Sequence, residues 1–214
     1  MKKVIILGVV VGFCFISMAQ ETPSAGFGVK IGTLGPGIEI GMSFTPKIAA
    51  RLGLNYFTYS YDTTEEGIDY DAGLTLFTLG PVIDWHPTGG SFRVSGGLLY
   101  NGNEVTGKAK RDLHLRIGGH EYPNATVKTT VDFDDLSPYV GIGWDTSFGA
   151  ERQWGLICDL GIIYHGVPHV TLKATATEAR IDPEDVRKEK KEIEDAVKSF
   201  QWYPVITAGF IYRF

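Results

Sequence analysis

Large apolar residues alternate with small or polar residues along most of the chain, which is the pattern of β-strands whose two faces meet different surroundings. In Trp154–Tyr164 (WGLICDLGIIY), every second residue is apolar, and an aromatic residue stands at each end. The residues on the other face are small, aliphatic or, at Asp159, charged. The same alternation continues to the last residue, Phe214, in the segment WYPVITAGFIYRF. The pattern predicts an all-β fold.

Eight segments show this alternation, and the connections between them alternate in length. Short turns on one side of a barrel and long loops on the other are typical of bacterial outer-membrane β-barrels, whose short turns lie in the periplasm. The sequence therefore predicts an eight-stranded antiparallel up-and-down transmembrane β-barrel with both termini in the periplasm. The connections predicted to be short lie near Gly35 and Pro46 and over residues 87–90 and 149–153, and those predicted to be long cover residues 63–67, 111–126 and 178–199.

One face of the predicted strands carries glycines and charged residues, and we assign this face to the lumen. Four of the charges are positive and four are negative, and buried charges are tolerated only when they are paired. An eight-stranded barrel has an interior that side chains just fill, so we predict a paired network that closes the lumen. Its members are Lys30, Glu39, Arg51, Asp84, Arg93, Asp145, Asp159 and Arg213.

The opposite face is apolar and is assigned to lipid. Aromatic residues near both ends of the strands are predicted to form the two girdles that flank the hydrocarbon layer. The last strand, from Trp202 to Phe214, is expected to pair with the first strand near residues 27–31 and so to close the barrel without leaving an edge. The predicted girdle residues are Trp85, Tyr100, Trp144, Trp154, Tyr164 and Trp202.

A single segment has the pattern of a helix, DPEDVRKEKKEIEDAVKSFQ. Asp182 is a suitable N-cap residue, and Pro183 follows at the first helical position. Charged residues surround a narrow apolar stripe, which favours a solvated helix over the rim of the barrel. We predict one short helix in the last extracellular loop.

The first residues, MKKVIILGVVVGFCFISMAQ, have the composition of a secretory signal peptide, with two lysines, an apolar run and a small residue at Ala19. We predict a signal peptide over residues 1–19 and a barrel domain over residues 20–214. The formal net charge of −5 becomes more negative when Lys2 and Lys3 are removed. An acidic chain is a poor partner for nucleic acid, so we expect none.

Several segments resemble small eight-stranded outer-membrane barrels of the OmpA, OmpX and OmpW type, including TLGPGIEIG, DWHPTGGSFRVSGGLLYN, YVGIGWD and YPVITAGFIYRF. Such barrels end on phenylalanine with aromatic or apolar residues at alternate positions before it. The resemblance implies that Phe210, Tyr212 and Phe214 form a signal for the barrel assembly machinery. It also implies location in the outer membrane, with lipid and lipopolysaccharide as surroundings, and a monomeric state.

The sequence offers no clear catalytic set. His165 and His169 are four residues apart in a strand, a spacing that suits one face of a helix better than a metal site on a strand. Asp159 and His165 share a strand face but lie about 20 Å apart by the rise per residue, and no serine completes a triad. We therefore expect neither catalysis nor a cofactor.

Three hypotheses about function follow from the alternation. The first is an integral barrel with a structural, adhesive or small-solute role, and the second is an OmpW-like channel for small hydrophobic compounds. Pro81, Pro138 and Pro168 lie inside strand patterns, where they could open the wall for such compounds. The third is a soluble secreted lipocalin-like barrel, in which the apolar face would point inward around a ligand.

Overall fold

A computed structural model describes residues 24–65, 68–176 and 180–214 of the 214-residue chain. The predicted signal peptide over residues 1–19 lies outside these described residues. The described residues form eleven strands and one helix. They are β1 (Ala25–Gly32), β2 (Gly37–Thr45), β3 (Ile48–Glu65), β4 (Ile68–Trp85), β5 (Phe92–Asn101), β6 (Glu104–Ile117), β7 (His120–Asp132), β8 (Leu136–Asp145), β9 (Trp154–Tyr164), β10 (His169–Ala176), α1 (Pro183–Val197) and β11 (Trp202–Arg213).

Eight of the strands close into an antiparallel barrel, as predicted. The order around the barrel is β1, β2, β3, β4, β5, β8, β9 and β11, and β11 pairs again with β1. The closing seam extends from the pair Gly26 and Arg213 to the pair Gly32 and Thr207. The last strand therefore satisfies the backbone groups of the first, and the barrel has no edge.

The two ends of the barrel differ in their connections. At one end, here called the turn end, short connections join β2 to β3, β4 to β5 and β8 to β9. Ala25 and Arg213, at the outer limits of the seam strands, also lie at this end. At the opposite end, here called the loop end, several strands continue far beyond the barrel wall.

The long loops predicted at the loop end are wrong over residues 63–65 and over most of residues 111–126, and residues 66–67 lie outside the described residues. β3 and β4 form one hairpin of 18 residues each, and residues 111–126 lie largely within the β6–β7 hairpin. The upper part of β3 and β4, together with β6, β7 and β10, forms a five-stranded sheet in the order β10, β7, β6, β4, β3. We call this the extension sheet, because it continues one side of the barrel wall past the loop end.

Short interruptions separate the barrel from the extension sheet. Residues 102–103 divide β5 from β6, residues 133–135 divide β7 from β8, and residues 165–168 divide β9 from β10. The sequence predicted a single strand at each of these places. Gly166 has a φ of 73°, and a Cβ atom at this position would overlap the Asp134 carboxylate, so residues with a side chain are disfavoured at this bend.

The predicted helix is confirmed as α1. The Asp182 side chain accepts a hydrogen bond from the Glu184 N–H, and Pro183 stands at the first helical position. The helix packs along β10, the outer strand of the extension sheet, and returns the chain to β11. In the part of the chain that the structure describes, no helix has the length and apolar character needed to cross a membrane.

The apolar face of the barrel strands points outward. Asp159 on the opposite face of β9 is 2% exposed, whereas Ile206 on the outer face of β11 is 53% exposed. A lipocalin-like barrel requires the reverse facing, so that hypothesis is wrong. Other exposed apolar residues of the wall are Val29, Ile31, Ile38, Ile40, Leu52, Ile83, Leu98, Val140, Ile142, Leu156, Leu160, Ile162 and Phe210.

Candidate functional site

Six charged side chains meet in the middle of the lumen, and we call this cluster the charge plug. Each comes from a different strand, because every barrel strand turns alternate residues inward. Three are cationic and three are carboxylates, so the charges balance. The members are Lys30 of β1, Glu39 of β2, Arg51 of β3, Asp84 of β4, Arg93 of β5 and Asp159 of β9.

Arg51 is the centre of the charge plug. Its Nη1 lies 3.1 Å from Glu39 Oε2 and 2.9 Å from Asp159 Oδ2, and its Nε lies 3.1 Å from Asp84 Oδ2. Its Nη2 also donates to Asp159 Oδ1 at 3.1 Å, which makes the contact with Asp159 bidentate. One guanidinium thus touches all three carboxylates, as its planar fork of donors permits.

The other two cations complete the pairing from opposite sides. Arg93 Nη2 donates to Asp159 Oδ1 at 2.8 Å, and its Nη1 lies 3.5 Å from Asp84 Oδ2. Lys30 Nζ donates to Glu39 Oε2 at 2.8 Å. All six side chains are at least nine-tenths buried. The cluster is therefore a paired and desolvated group that spans the lumen.

Glycine provides the space that these side chains occupy. A Cβ atom on Gly143 would lie 2.5 Å from Asp159 Oδ1 and 3.1 Å from Arg93 Nε. A Cβ atom on Gly53 would lie 3.3 Å from Lys30 Nζ. The glycines on the lumen face thus make room for charged side chains that cross a narrow barrel.

Two of the eight predicted lumen charges form a separate pair nearer the turn end. The Arg213 guanidinium pairs with the Asp145 carboxylate. Ser147 Oγ donates to Asp145 Oδ1 at 2.6 Å and accepts from Arg213 Nε at 2.9 Å. The Arg213 guanidinium also lies 5.4 Å from the centre of the Phe148 ring. The lumen charges therefore form two groups at different heights.

Apolar side chains fill the lumen on the loop side of the charge plug. Leu34, in the short turn between β1 and β2, packs there and is 4% exposed. The cavity left between this layer and the charge plug measures about 30 Å³, which is about the volume of one water molecule. The other members of this layer, which we call the apolar cap, are Val82, Leu99, Tyr139, Ile163 and Val205.

The predicted aromatic girdle residues fall into two rings at the outside of the barrel. Trp85, Trp144 and Trp154 lie toward the turn end, and Tyr100, Tyr164 and Trp202 lie toward the loop end. Neighbouring strands bring some of them into ring contact. The centroids of Trp154 and Tyr212 are 4.8 Å apart, and those of Tyr164 and Trp202 are also 4.8 Å apart.

Two buried histidines lie in connections outside the barrel strands. His86, in the turn after β4, stacks on Phe148 with ring centroids 3.4 Å apart, and its Nδ1 lies 2.7 Å from the Gly90 carbonyl oxygen. His165, after β9, lies against Phe133. Burial lowers the pKa of both imidazoles below the ordinary histidine value.

We expect the folded protein to lose stability as the pH falls from 7 to 5. The pKa values of His86 and His165 are lowered in the folded state, so the unfolded chain binds more protons below about pH 6.5, the ordinary histidine pKa. Urea titrations at several pH values should show this loss in the wild type and a shallower loss in the double variant His86→Phe, His165→Phe. Equal slopes in both proteins would contradict the assignment.

Hydrogen bonds connect the start of α1 to the tip of the β6–β7 hairpin. Tyr122 Oη donates to Asp185 Oδ2 at 2.5 Å, and His120 Nδ1 lies 2.9 Å from the same oxygen. The bond from Tyr122, followed by that from His120, lowers the pKa of Asp185. The Gly118 N–H donates to Glu189 Oε2 at 3.0 Å. These contacts hold the helix to the extension sheet.

The predicted lumen network did not include the hydroxyl groups that complete its contacts or the apolar cap above them. Ser95 Oγ donates to Asp84 Oδ1 at 2.5 Å, and Thr207 Oγ1 donates to Asp159 Oδ2 at 3.2 Å. Strand alternation could have placed both, because Ser95 is two residues from Arg93 and Thr207 is six residues from Arg213. The inward position of Leu34 had no such signal, because it lies in a turn.

The closed barrel with a charged interior and an apolar exterior is the architecture of small outer-membrane barrels. No protein-family model matches the chain, and no curated protein matches it. The fold is similar to the crystal structure of CarO2 from Acinetobacter baumannii, with a TM-score of 0.61 and 21% identity over 92% of this chain and 100% of that chain. It is also similar to the crystal structure of CarO from Acinetobacter baumannii, with a TM-score of 0.58 and 21% identity over 88% of this chain and 97% of that chain. The predicted resemblance to small outer-membrane barrels is confirmed at the level of the fold.

Proposed function

We propose that the chain is an integral outer-membrane β-barrel with a closed lumen, and that its structural or adhesive role is carried by the extension sheet. The observation that carries this proposal is the exposed apolar belt between the two aromatic rings. On β9 the belt extends from Trp154 to Tyr164. About ten residue steps of about 3.3 Å, tilted by about 40°, give a height of roughly 25 Å, which suits the apolar band of such barrels.

The proposed orientation follows from the difference between the two ends. Short turns in outer-membrane barrels lie in the periplasm and longer segments lie outside the cell. The turn end is therefore the periplasmic end in this proposal, and both termini are periplasmic. The extension sheet and α1 then project from the cell surface, where they can meet partners.

The C-terminal residues serve, in this proposal, as the signal for the barrel assembly machinery. Phe210 and Phe214 are exposed on the outer face of the seam, and the Phe214 N–H donates to the Ala25 carbonyl at 2.9 Å. The same strand that carries the signal also closes the barrel. Outer-membrane lipid and lipopolysaccharide are the proposed surroundings of the exposed apolar belt, and the proposed functional unit is a monomer without catalysis or cofactor.

The lumen geometry supports a closed barrel over a channel for small hydrophobic compounds. The charge plug and the apolar cap leave only about 30 Å³ between them. Pro81 interrupts the ladder between β4 and β5, whose pairing passes from Leu79 and Tyr100 to Val82 and Gly97. The strands stay in contact there, since a Cβ atom on Gly80 would lie 2.3 Å from the Leu98 carbonyl oxygen. The wall therefore offers no lateral opening at Pro81.

The purified protein is expected to give no steady ion conductance in a planar lipid bilayer. The charge plug and the apolar cap block the aqueous path, because buried paired charges are costly to separate. An open porin inserted into the same bilayer provides the positive control, and heat-modifiable migration in gels verifies that the sample is folded. Stable single-channel steps from the folded protein would contradict the closed lumen and favour a channel.

A further inference from the structure

Among the residues that the structure describes, no strand pairs with one side of the upper half of β3. β2 pairs with β3 only as far as the pair Gly37 and Asn55, whereas β3 continues to Glu65 and pairs along its full length with β4 on its other side. The Tyr56 N–H donates to the Pro36 carbonyl at 3.1 Å, which shows that Tyr56 points its backbone groups toward the β2 side. The N–H and C=O groups of successive residues point to alternate sides of a strand. Every second residue after Tyr56 therefore presents its N–H and C=O groups at this free edge. They are Thr58, Ser60, Asp62 and Thr64.

Apart from the charge of Asp62, this free edge lacks, among the described residues, the features by which proteins usually protect a strand edge. Natural edges are blocked by lysine, proline, bulges or a covering element, since unpaired backbone groups bind other strands. Residues 57–64 (FTYSYDTT) contain neither lysine nor proline, and the pairing with β4 has no register shift. The opposite edge of the extension sheet, β10, is covered by α1 and carries Lys173. Protection is therefore present at one edge and missing at the other.

The two faces beside the free edge have different chemistry. Phe57, Tyr59 and Tyr61 lie on one face and are 38%, 56% and 54% exposed. Thr58, Ser60 and Thr64 lie on the opposite face, because successive residues of a strand alternate. A strand added to this edge would gain contact by placing apolar or aromatic residues beside the tyrosines. Its alternate residues would be polar.

A row of charges across the polar face ends at the free edge. Lys108 of β6 pairs with Asp71 of β4, with Nζ and Oδ2 3.1 Å apart, and Asp71 stands opposite Asp62 of β3. Asp62 is exposed and forms no ion pair among the described residues. Like charges at opposite positions of two strands are destabilising, and opposite charges stabilise. The position next to Asp62 on an added strand therefore favours lysine or arginine.

We propose that the free edge of β3 binds an extended peptide segment of another protein by β-strand addition. The segment pairs with Thr58, Ser60, Asp62 and Thr64 through main-chain hydrogen bonds. Its side chains alternate between apolar or aromatic and polar, and a basic residue stands beside Asp62. This inference rests on the proposed function, because the orientation in the membrane decides between a foreign peptide and a second copy of the chain.

A second copy in the same membrane does not fit this edge. Antiparallel pairing of two identical edges requires a two-fold axis perpendicular to the sheet, which would invert one barrel relative to the membrane. A two-fold axis along the membrane normal keeps both barrels upright but makes the strands parallel. It also places the aromatic face of one copy and the polar face of the other on the same side of the combined sheet. An extended peptide has neither restriction.

The test uses the refolded mature chain in detergent and two fluorescein-labelled eight-residue peptides. Both peptides alternate valine and threonine, and one central threonine is replaced by lysine in the first and by glutamate in the second. Fluorescence anisotropy measures the dissociation constants. The variant Ser60→Pro removes an N–H from the free edge but not from the β3–β4 ladder, so the fold should tolerate it. Ser60→Ala is the matched control, and heat-modifiable migration verifies folding of each variant.

We expect the lysine peptide to bind the wild type up to about fivefold more tightly than the glutamate peptide. Ser60→Pro should weaken binding about tenfold or more, whereas Ser60→Ala should change it less than about twofold. Asp62→Lys should reverse the preference between the two peptides. This reversal is a second readout if Ser60→Pro fails to fold.

Three results would overturn the inference. They are absence of binding to the folded wild type, equal binding by Ser60→Pro and Ser60→Ala, and a peptide preference that Asp62→Lys leaves unchanged. Dimerisation that Ser60→Pro abolishes, measured by analytical ultracentrifugation, would assign the edge to a second copy instead. Failure of the chain to enter the outer membrane would contradict the proposed function separately, because peptide binding is measured on the refolded chain.

Discussion

Replacing Arg51 with methionine is expected to destabilise the barrel by about 4 kcal/mol, the scale for removing one partner of a buried ion pair. Arg51 contacts Glu39, Asp84 and Asp159, and all four side chains are buried. Methionine has a similar length but carries no donor. The variant would leave three carboxylates in the lumen with only Lys30 and Arg93 to compensate them.

The free energy of unfolding can be measured by urea titration of the protein refolded into phosphocholine vesicles. Lys108→Met is the matched control, because Lys108 forms an exposed pair with Asp71 in the extension sheet. We expect this control to cost less than about 1 kcal/mol, as exposed ion pairs contribute little. Equal losses in the two variants would show that the charge plug does not stabilise the barrel.

Replacing Leu160 with arginine is expected to destabilise the protein in vesicles by about 3 kcal/mol, the scale for a lipid-facing charge near the bilayer midplane. Leu160 lies on the outer face of β9, between Trp154 and Tyr164, and is 42% exposed. A soluble barrel would tolerate arginine at such an exposed position.

The control for this variant is Thr171→Arg on β10. Thr171 is exposed on the extension sheet, which lies outside the proposed membrane layer. A surface substitution of this type usually changes stability by less than about 0.5 kcal/mol. An unchanged free energy of unfolding in Leu160→Arg would contradict the assignment of the outer face to lipid.

The facing of the barrel strands could be predicted because it depends on a period of two. Once Trp154 and Leu156 are assigned to the outside, Asp159 must point inward, and the structure places it there. The same logic brought Lys30, Glu39, Arg51, Asp84 and Arg93 to the lumen. Alternation shows which face a residue lies on but not its position along the barrel axis, so it could not separate the Arg213 and Asp145 pair from the charge plug.

The extension sheet was not predicted as a separate sheet, because segments such as EVTGKAK and VTLKATAT continue the alternation of the barrel strands before them. In EVTGKAK, for example, Val105, Gly107 and Ala109 alternate with threonine and lysine. This alternation has the period of a strand, but its apolar residues are small. EVTGKAK was therefore predicted as the end of a barrel strand, and a loop was predicted only over residues 111–126. The interruptions at Gly102 and Gly166 were visible as glycine positions, but only the register of neighbouring strands shows that pairing continues beyond them.

The most direct test of the account is fractionation of a Gram-negative host that expresses the full chain with its own N-terminal segment. The protein is expected to sediment with the outer membrane, to resist extraction by urea, and to migrate faster before heating than after it. Release into the periplasm or the medium without detergent would contradict the central claim that the exposed apolar belt lies in lipid.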